Sequence, residues 1–257
     1  MVKKFHKMKK KNILITGASS GIGWSTAIEC SKEGHRVIIC GRNVKKLSEL
    51  SSLLKSPNYI SVFDVRNKKD VFDSIQSIPD KFKTIDVLVN NAGNAHGLSP
   101  AHQSNLLDWE AMIDSNVKGL LYVTKAIIDQ MVKRKNGHII NVGSIAGKES
   151  YPKGNVYSAS KAAIEKFTEG LRLDLNTYNI RVGAINPGLV ETNFSNVRFK
   201  GDLKRAAEVY KGFKPLVPED VAKAIYYMIE APEHVNIADL TILPTAQANA
   251  YVLNKKK

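Results

Sequence analysis

Thr16-Gly17-Ala18-Ser19-Ser20-Gly21-Ile22-Gly23 begins where the first β-branched run, Asn12-Thr16, ends, and it opens a stretch of helical periodicity. Glycines at 17, 21 and 23 permit a tight turn and let the backbone come close to a pyrophosphate. The helix that follows offers free N–H groups and a favourable dipole to the anion. The same glycines would also serve a purely structural turn, and a glycine loop alone is a weak signal. Its setting between a strand and a helix favours dinucleotide binding, with Gly17, Ser19, Ser20, Gly21, Ile22 and Gly23 as cofactor-binding residues.

Beyond this loop the chain alternates short apolar runs with longer helical patterns. Strands are expected at Asn12-Thr16, Arg36-Cys40, Tyr59-Val62, Ile85-Val89, Gly137-Val142, Ile180-Ile185 and Leu240-Leu243. Runs such as Ile85-Asp86-Val87-Leu88-Val89 are almost continuously apolar, as strands covered on both faces are. Ala163, Phe167, Leu171 and Leu175 recur at helical spacing. The two longest helical patterns are Asp108-Lys135 and Tyr157-Tyr178. Lys133-Arg134-Lys135 suit a helix C-terminus, and Asn136-Gly137 are expected to end that helix. Strand and helix in alternation mean parallel strands joined by crossover helices. The expected fold is a single doubly wound α/β domain with a central parallel sheet of about seven strands.

A chain of 257 residues is long enough for one such domain, and 43% hydrophobic with 24% charged residues is ordinary globular composition. Cys30 and Cys40 are too few for a disulfide framework or a metal cluster, so no metal and a reducing, cytoplasmic setting are expected. The net charge of +14 is concentrated at the ends: Lys3, Lys4, Lys7, Lys9, Lys10, Lys11, Lys255, Lys256 and Lys257. Without these nine lysines, 29 basic residues face 24 acidic ones, a body charge of only +5. Solvated ends account for that distribution better than a specific nucleic-acid site does. The chain reads as a basic tail at 1–11, a domain at 12–254 and a basic end at 255–257. Ile13-Leu14-Ile15 is too short for a signal peptide core, and no run approaches the roughly 20 apolar residues of a membrane span.

At the end of the second strand, an acidic residue would hydrogen-bond the ribose of NAD. The sequence has Cys40-Gly41-Arg42-Asn43 instead. Arg42 suits a 2′-phosphate, so the expected cofactor is NADP. Tyr157 and Lys161 stand four apart on a helical pattern and share a face. Tyrosine is a poor acid or base at neutral pH, and a neighbouring ammonium is expected to lower its pKa. The pair suits proton exchange with an alcohol oxygen, and Ser144, at the end of the fifth strand, is placed to bond the same oxygen. Taken alone, a Tyr-x-x-x-Lys pair is usually a surface pair; the glycine loop and Ser144 give it weight.

These residues, with Asp64-Val65, Asn90-Asn91-Ala92-Gly93, Asn116, Tyr157-Ser158-Ala159-Ser160-Lys161 and Pro187-Gly188-Leu189-Val190-Glu191-Thr192, resemble the classical short-chain dehydrogenase/reductase family over nearly the whole chain. The resemblance implies a Rossmann-type fold and hydride transfer between NADP and an alcohol or carbonyl. It implies that Asp64 and Val65 contact adenine and that Asn90, Asn91, Ala92 and Gly93 line the cofactor cleft. It further implies that Pro187, Gly188, Val190 and Thr192 hold the nicotinamide and that Lys161 holds the ribose. Asn116 would hold a helix kink and a water in a proton relay. The catalytic set is then Asn116, Ser144, Tyr157 and Lys161, and the implied assembly is a homotetramer built partly on the helices at 108–135 and 157–178.

The segments Asn193–Asp202, His234–Ile237 and Leu243–Gln247, and Ser99-Pro100-Ala101-His102 after Asn91-Ala92-Gly93, resemble the NADP-dependent 3-hydroxy acid (serine/allo-threonine) dehydrogenase subgroup. That implies a small 3-hydroxy acid such as serine, allo-threonine or 3-hydroxybutyrate as substrate. A hydroxy acid needs a cation beside Tyr157, because an unpaired buried carboxylate is costly. Arg198 is the first candidate, ahead of Lys153 and Lys200, because a planar guanidinium takes a carboxylate through two bonds. Two departures stand out: Asn43 where the subgroup usually has a second arginine, and the charged stretch Lys148-Glu149-Ser150. The competing readings are a broad carbonyl or 3-oxoacyl reductase and, further off, a non-catalytic nucleotide-binding protein.

Overall fold

The computed structural model describes residues 10–256. Lys3, Lys4, Lys7, Lys9 and Lys257 of the two basic ends lie outside the described residues. The strands are β1 (Asn12–Thr16), β2 (Arg36–Gly41), β3 (Asn58–Val62), β4 (Val87–Asn90), β5 (Gly137–Val142), β6 (Ile180–Pro187) and β7 (Asp239–Ile242). All pair in parallel in the order β3-β2-β1-β4-β5-β6-β7. The helices are α1 (Gly21–Lys32), α2 (Val44–Leu53), α3 (Lys68–Gln76), α4 (Asp80–Lys83), α5 (Leu106–Met112) and α6 (Gly119–Arg134), followed by α7 (Ile145–Lys148), α8 (Asn155–Leu175), α9 (Phe194–Arg198), α10 (Leu203–Glu208) and α11 (Pro218–Glu230). This is the doubly wound α/β domain that the alternating pattern predicts.

Successive strand residues point to opposite faces, and both faces are covered. Ile13, Ile15, Val37 and Ile39 pack with α1, α2 and α11 on one side; Leu14, Ile38, Leu88 and Ile139 pack with α3, α6 and α8 on the other. Each fully buried Ile or Leu of this kind contributes about 1.5–3 kcal/mol. The chain runs outward from β1 to β3, then returns to place β4 on the other side of β1. That reversal opens a crevice beyond the carboxyl ends of β1 and β4, where ligands of such sheets bind.

Several details differ from the sequence reading. β4 starts at Val87, two residues later than expected; both backbone groups of Ile85 are taken by side chains of α6, its N donating to Gln130 Oε1 at 3.0 Å and its O accepting from Arg134 Nη2 at 2.7 Å. Gly137 does not end the helix before β5. Lys135 takes the left-handed cap conformation (φ 51°), while Gly137 is the first residue of β5, where a Cβ would lie 2.5 Å from Met131 Sδ. The pattern 108–135 is not one helix either. α5 and α6 are separated by a π-helical turn, Ile113–Lys118, which inserts an extra residue where the Asn116 side chain is pulled inward. At the other long pattern, α8 begins two residues early and a 3₁₀ turn, Asn176–Tyr178, closes it.

Candidate active site

The glycine loop is built by close backbone contact. Gly17 has φ +67°, and a Cβ there would lie 2.9 Å from Ala92 Cα. A Cβ at Gly23 would lie 2.5 Å from Asn91 Nδ2 and 2.6 Å from Gly17 O. Asn91 latches the loop: its Nδ2 donates to Thr16 O at 2.9 Å, and Thr16 Oγ1 accepts from the amides of Asn91 and Ala92 at 3.0 Å each. Ser20 precedes α1 without a side-chain cap, and no acidic residue stands in the first turn. The first N–H groups of α1 are left for an anion.

The loop opens on a cavity of about 660 Å³. Its walls hold Gly17, Ser19, Ser20, Gly21, Ile22, Arg42, Asp64, Val65, Asn91, Ala92 and Gly93 from one half, with Ser144, Tyr157, Lys161, Pro187, Gly188, Val190, Thr192 and Arg198 from the other. Of the expected cofactor residues, Gly23 is set behind the loop, off the cavity wall. Asn116 is fully buried behind the wall as well. Asn90 is a correction: it is buried between sheet and helix, donating to Thr124 Oγ1 and Asn141 Oδ1 at 2.9 Å each, and it does not line the cleft.

At the adenosine end, Asp64 stands between two arginines. Arg42 Nη1 meets Asp64 Oδ2 at 3.2 Å, and Arg66 Nη2 meets the same oxygen at 2.7 Å. Partial burial pushes the Asp64 carboxyl up, but hydrogen bonds from Arg66 and the charge of Arg42 outweigh it and hold it down to about 2. Arg66 does not stand out in the sequence, although its place directly after Asp64-Val65 is a usable signal. Asn43, at the position of the subgroup's second arginine, caps α2 instead: its Oδ1 accepts from Lys46 N at 3.0 Å.

At the other end, β5 delivers Ser144 and α8 delivers Tyr157 and Lys161. Ser144 N donates to Asn186 Oδ1 at 3.0 Å, which fixes the strand end. Lys161 is buried and donates to Val142 O at 2.8 Å. A Cβ at Gly93 would lie 3.7 Å from Lys161 Nζ and 3.0 Å from Asn116 Oδ1, so the glycine admits both. Asn116 is saturated by Asn94 N, Ser115 Oγ, Asn94 O and Ser160 Oγ at 2.8–3.0 Å, tying the π turn to α8.

The electrostatics correct one expectation. Lys161 does not set the state of Tyr157 here. Burial pushes the Tyr157 phenol well up, with Ser144 and Arg198 pulling it down. Burial also pulls the Lys161 ammonium down to about 8, with Glu165 opposing. Tyr157 is therefore a protonated phenol at neutral pH, and Lys161 remains largely charged.

Arg198, the last residue of α9, lies 5.8 Å over the Tyr157 ring and 5.5 Å over Tyr151. Its Nη2 donates to Tyr151 Oη at 2.8 Å and its Nε to Gly97 O at 3.1 Å; no carboxylate pairs with it among the described residues. The alternatives fare differently: Lys200 is bound to Asp108 at 2.9 Å, and Lys153 is exposed on a left-handed turn (φ 69°). Phe194 packs edge-on against Tyr157 at 5.6 Å, which gives the substrate side an aromatic wall.

A phosphate-binding loop at the sheet's reversal point and a Ser-Tyr-Lys group across one cavity define an oxidoreductase that works with a dinucleotide. The chain belongs to the short-chain dehydrogenase family, whose sequence profile matches residues 11–202. It is 46% identical to an NADP-dependent 3-hydroxy acid dehydrogenase of Escherichia coli (strain K12), over 93% of this chain and 96% of that one. It is 41% identical to serine 3-dehydrogenase of Rhizobium radiobacter, over 93% and 95% of the two chains. The fold superposes on a closed form of serine dehydrogenase complexed with NADP+ with a TM-score of 0.91, at 46% identity, covering 93% and 96% of the two chains.

Proposed function

We propose that this chain is an NADP-dependent dehydrogenase/reductase acting on a small 3-hydroxy acid. The observation that carries the substrate class is Arg198, a guanidinium without an acidic partner among the described residues, held against the Tyr157 ring inside the cavity. Relatives of nearly the same length are named for NADP and for 3-hydroxy acids or serine, which supports the same reading.

The cavity fits the cofactor: a cradle that a Cβ would fill at Gly17, free N–H groups at α1 and a cation at Arg42. The nicotinamide, when bound, supplies the hydride exchange. In this reading Arg42 takes the 2′-phosphate, Asp64 and Val65 the adenine, Asn91, Ala92 and Gly93 the middle of the cleft, and Pro187, Gly188, Val190 and Thr192 the nicotinamide side.

Tyr157 Oη moves the proton at the substrate oxygen. As a protonated phenol it is set to act as the acid in reduction; oxidation requires it to lose that proton. Ser144 Oγ bonds the same oxygen and fixes its direction. Lys161 holds the ribose, its ammonium anchored on Val142 O at the cavity wall. Asn116 braces the π turn against α8 and so holds the backbone behind Gly93 and Lys161 in place. Arg198 pairs with the carboxylate, which sets acids apart from neutral alcohols.

A homotetramer resting on α6 and α8, with a cytoplasmic home, completes the proposal. Exposed Leu121 and Leu173 on those helices support it. The described helices include none long and apolar enough to cross a membrane. Light scattering on a sizing column reads the assembly directly, and a monomer contradicts it.

The experiment for the activity is a rate panel. Serine, allo-threonine and 3-hydroxybutyrate are compared with neutral alcohols and 3-oxoacyl esters, each with NADP and NAD. Highest kcat/KM for a hydroxy acid with NADP is expected. A preference for neutral carbonyls would move the protein to the broad carbonyl reductases.

A further inference from the structure

Arg66 and Arg42 hold one carboxylate very unequally. Arg66 clamps Asp64 through Nη2 at 2.7 Å, through Nε at 3.1 and 3.0 Å to the two oxygens, and through its backbone N at 3.0 Å to Oδ1. Arg42 touches Asp64 Oδ2 once, at 3.2 Å, and its side chain is 59% exposed against 45% for Arg66. The turn under the clamp is firm. Asn67 N donates to Asp64 O at 3.0 Å, and Gly119 leaves room for Val65, which a Cβ there would meet at 2.7 Å. Asn43 is a neutral amide and caps α2.

The local charge balance follows. Two guanidiniums around one carboxylate leave a net positive charge at the adenosine end. Without Arg66 the balance is one to one, and Asp64 becomes the natural partner for Arg42. A carboxylate already paired there would compete with a 2′-phosphate for the same guanidinium and repel it as well. With Arg66 in place Asp64 is already satisfied, and Arg42 is free to leave through rotation of an exposed side chain.

We propose that Arg66 is a specificity-determining residue for NADP over NAD: it neutralises Asp64 and so releases Arg42 for the 2′-phosphate. This rests on the NADP reading above. It assigns Arg66 a positioning role, acting through Asp64 and Arg42 without touching the phosphate itself. The neutral Asn43 leaves the far side of Arg42 without a second cation, and Arg66 supplies that charge from the other side of the adenosine pocket.

The test is a set of dissociation constants for NADPH and NADH, read from reduced-nicotinamide fluorescence, for wild type, Arg66→Gln, Asp64→Asn and the double variant. The ratio of the two constants is the readout, so changes at the shared adenine cancel. Arg66→Gln should lower the preference for NADPH by roughly tenfold, the scale of one charged hydrogen bond. Asp64→Asn should keep the preference, and the double variant should regain it, because no carboxylate is left to capture Arg42. An Arg66→Gln variant with the wild-type ratio overturns the proposal. A double variant no better than Arg66→Gln overturns it too, since Arg66 would then meet the phosphate directly. If the wild type shows no preference for NADPH, the NADP reading fails and takes this inference with it; a preference kept in both wild type and Arg66→Gln sinks the inference alone. Far-UV circular dichroism and a melting temperature close to wild type report that each variant is folded.

Discussion

Arg198 Nη2 donates a 2.8 Å hydrogen bond to Tyr151 Oη, which holds the guanidinium 5.5 Å from the ring centre. Two bonds to Gly97 reinforce the pair: the Arg198 side-chain Nε donates to Gly97 O at 3.1 Å, and Gly97 N donates to Arg198 O at 2.9 Å. Arg198 thus braces α9 and faces the substrate side at once. Arg198→Met should slow all substrates somewhat and hydroxy acids much more, by roughly tenfold or beyond relative to neutral ones. Equal losses in kcat/KM for charged and neutral substrates would leave Arg198 with the brace alone.

Tyr157→Phe removes a transferable proton and keeps the ring against Phe194. Loss of a general acid/base costs about 10²–10⁴ in rate. NADPH affinity should hold while kcat collapses; near-normal turnover would displace Tyr157 from its role.

Arg42→Ala should weaken NADPH by about ten- to a hundredfold and NADH far less. Equal weakening of both contradicts a phosphate role. Asn43→Ala gives the contrasting result. It removes the cap on α2, which costs about 1 kcal/mol and lowers Tm by about 2–4 °C, while the NADPH to NADH ratio stays unchanged.

The pH dependence follows from burial. Lys161 is held down to about 8, so its charge is present below that pH and lost above it. Tyr157 is pushed the other way and stays protonated across the same range. For reduction, kcat/KM should therefore decline as pH rises through about 8. A flat profile across that range contradicts a need for the Lys161 charge.

The strands were legible because each is a short, nearly continuous apolar run, and the loop at 16–23 because its glycines sit between a strand and a helix. What escaped reading depends on partners distant in sequence. The π turn at Ile113–Lys118 follows from Asn116 bonding back to Asn94, a contact no local periodicity reveals. Lys200 looked like a free cation until Asp108 arrived from α5. Arg66 reads as one basic residue among many until Asp64 is seen between it and Arg42. The state of Tyr157 escaped for a similar reason: spacing puts Lys161 on the same face, but burial depth and the pull of Val142 O on the ammonium are tertiary facts.

The central claim is hydride transfer between NADP and the hydroxyl-bearing carbon of a 3-hydroxy acid. Its most direct test is to incubate the protein with NADP and a 3-hydroxy acid deuterated at that carbon, then weigh the reduced cofactor by mass spectrometry. The deuterium should appear in the NADPH formed by the wild type, with Tyr157→Phe forming almost none. No NADPH from any 3-hydroxy acid, or NADPH without the label, would contradict it.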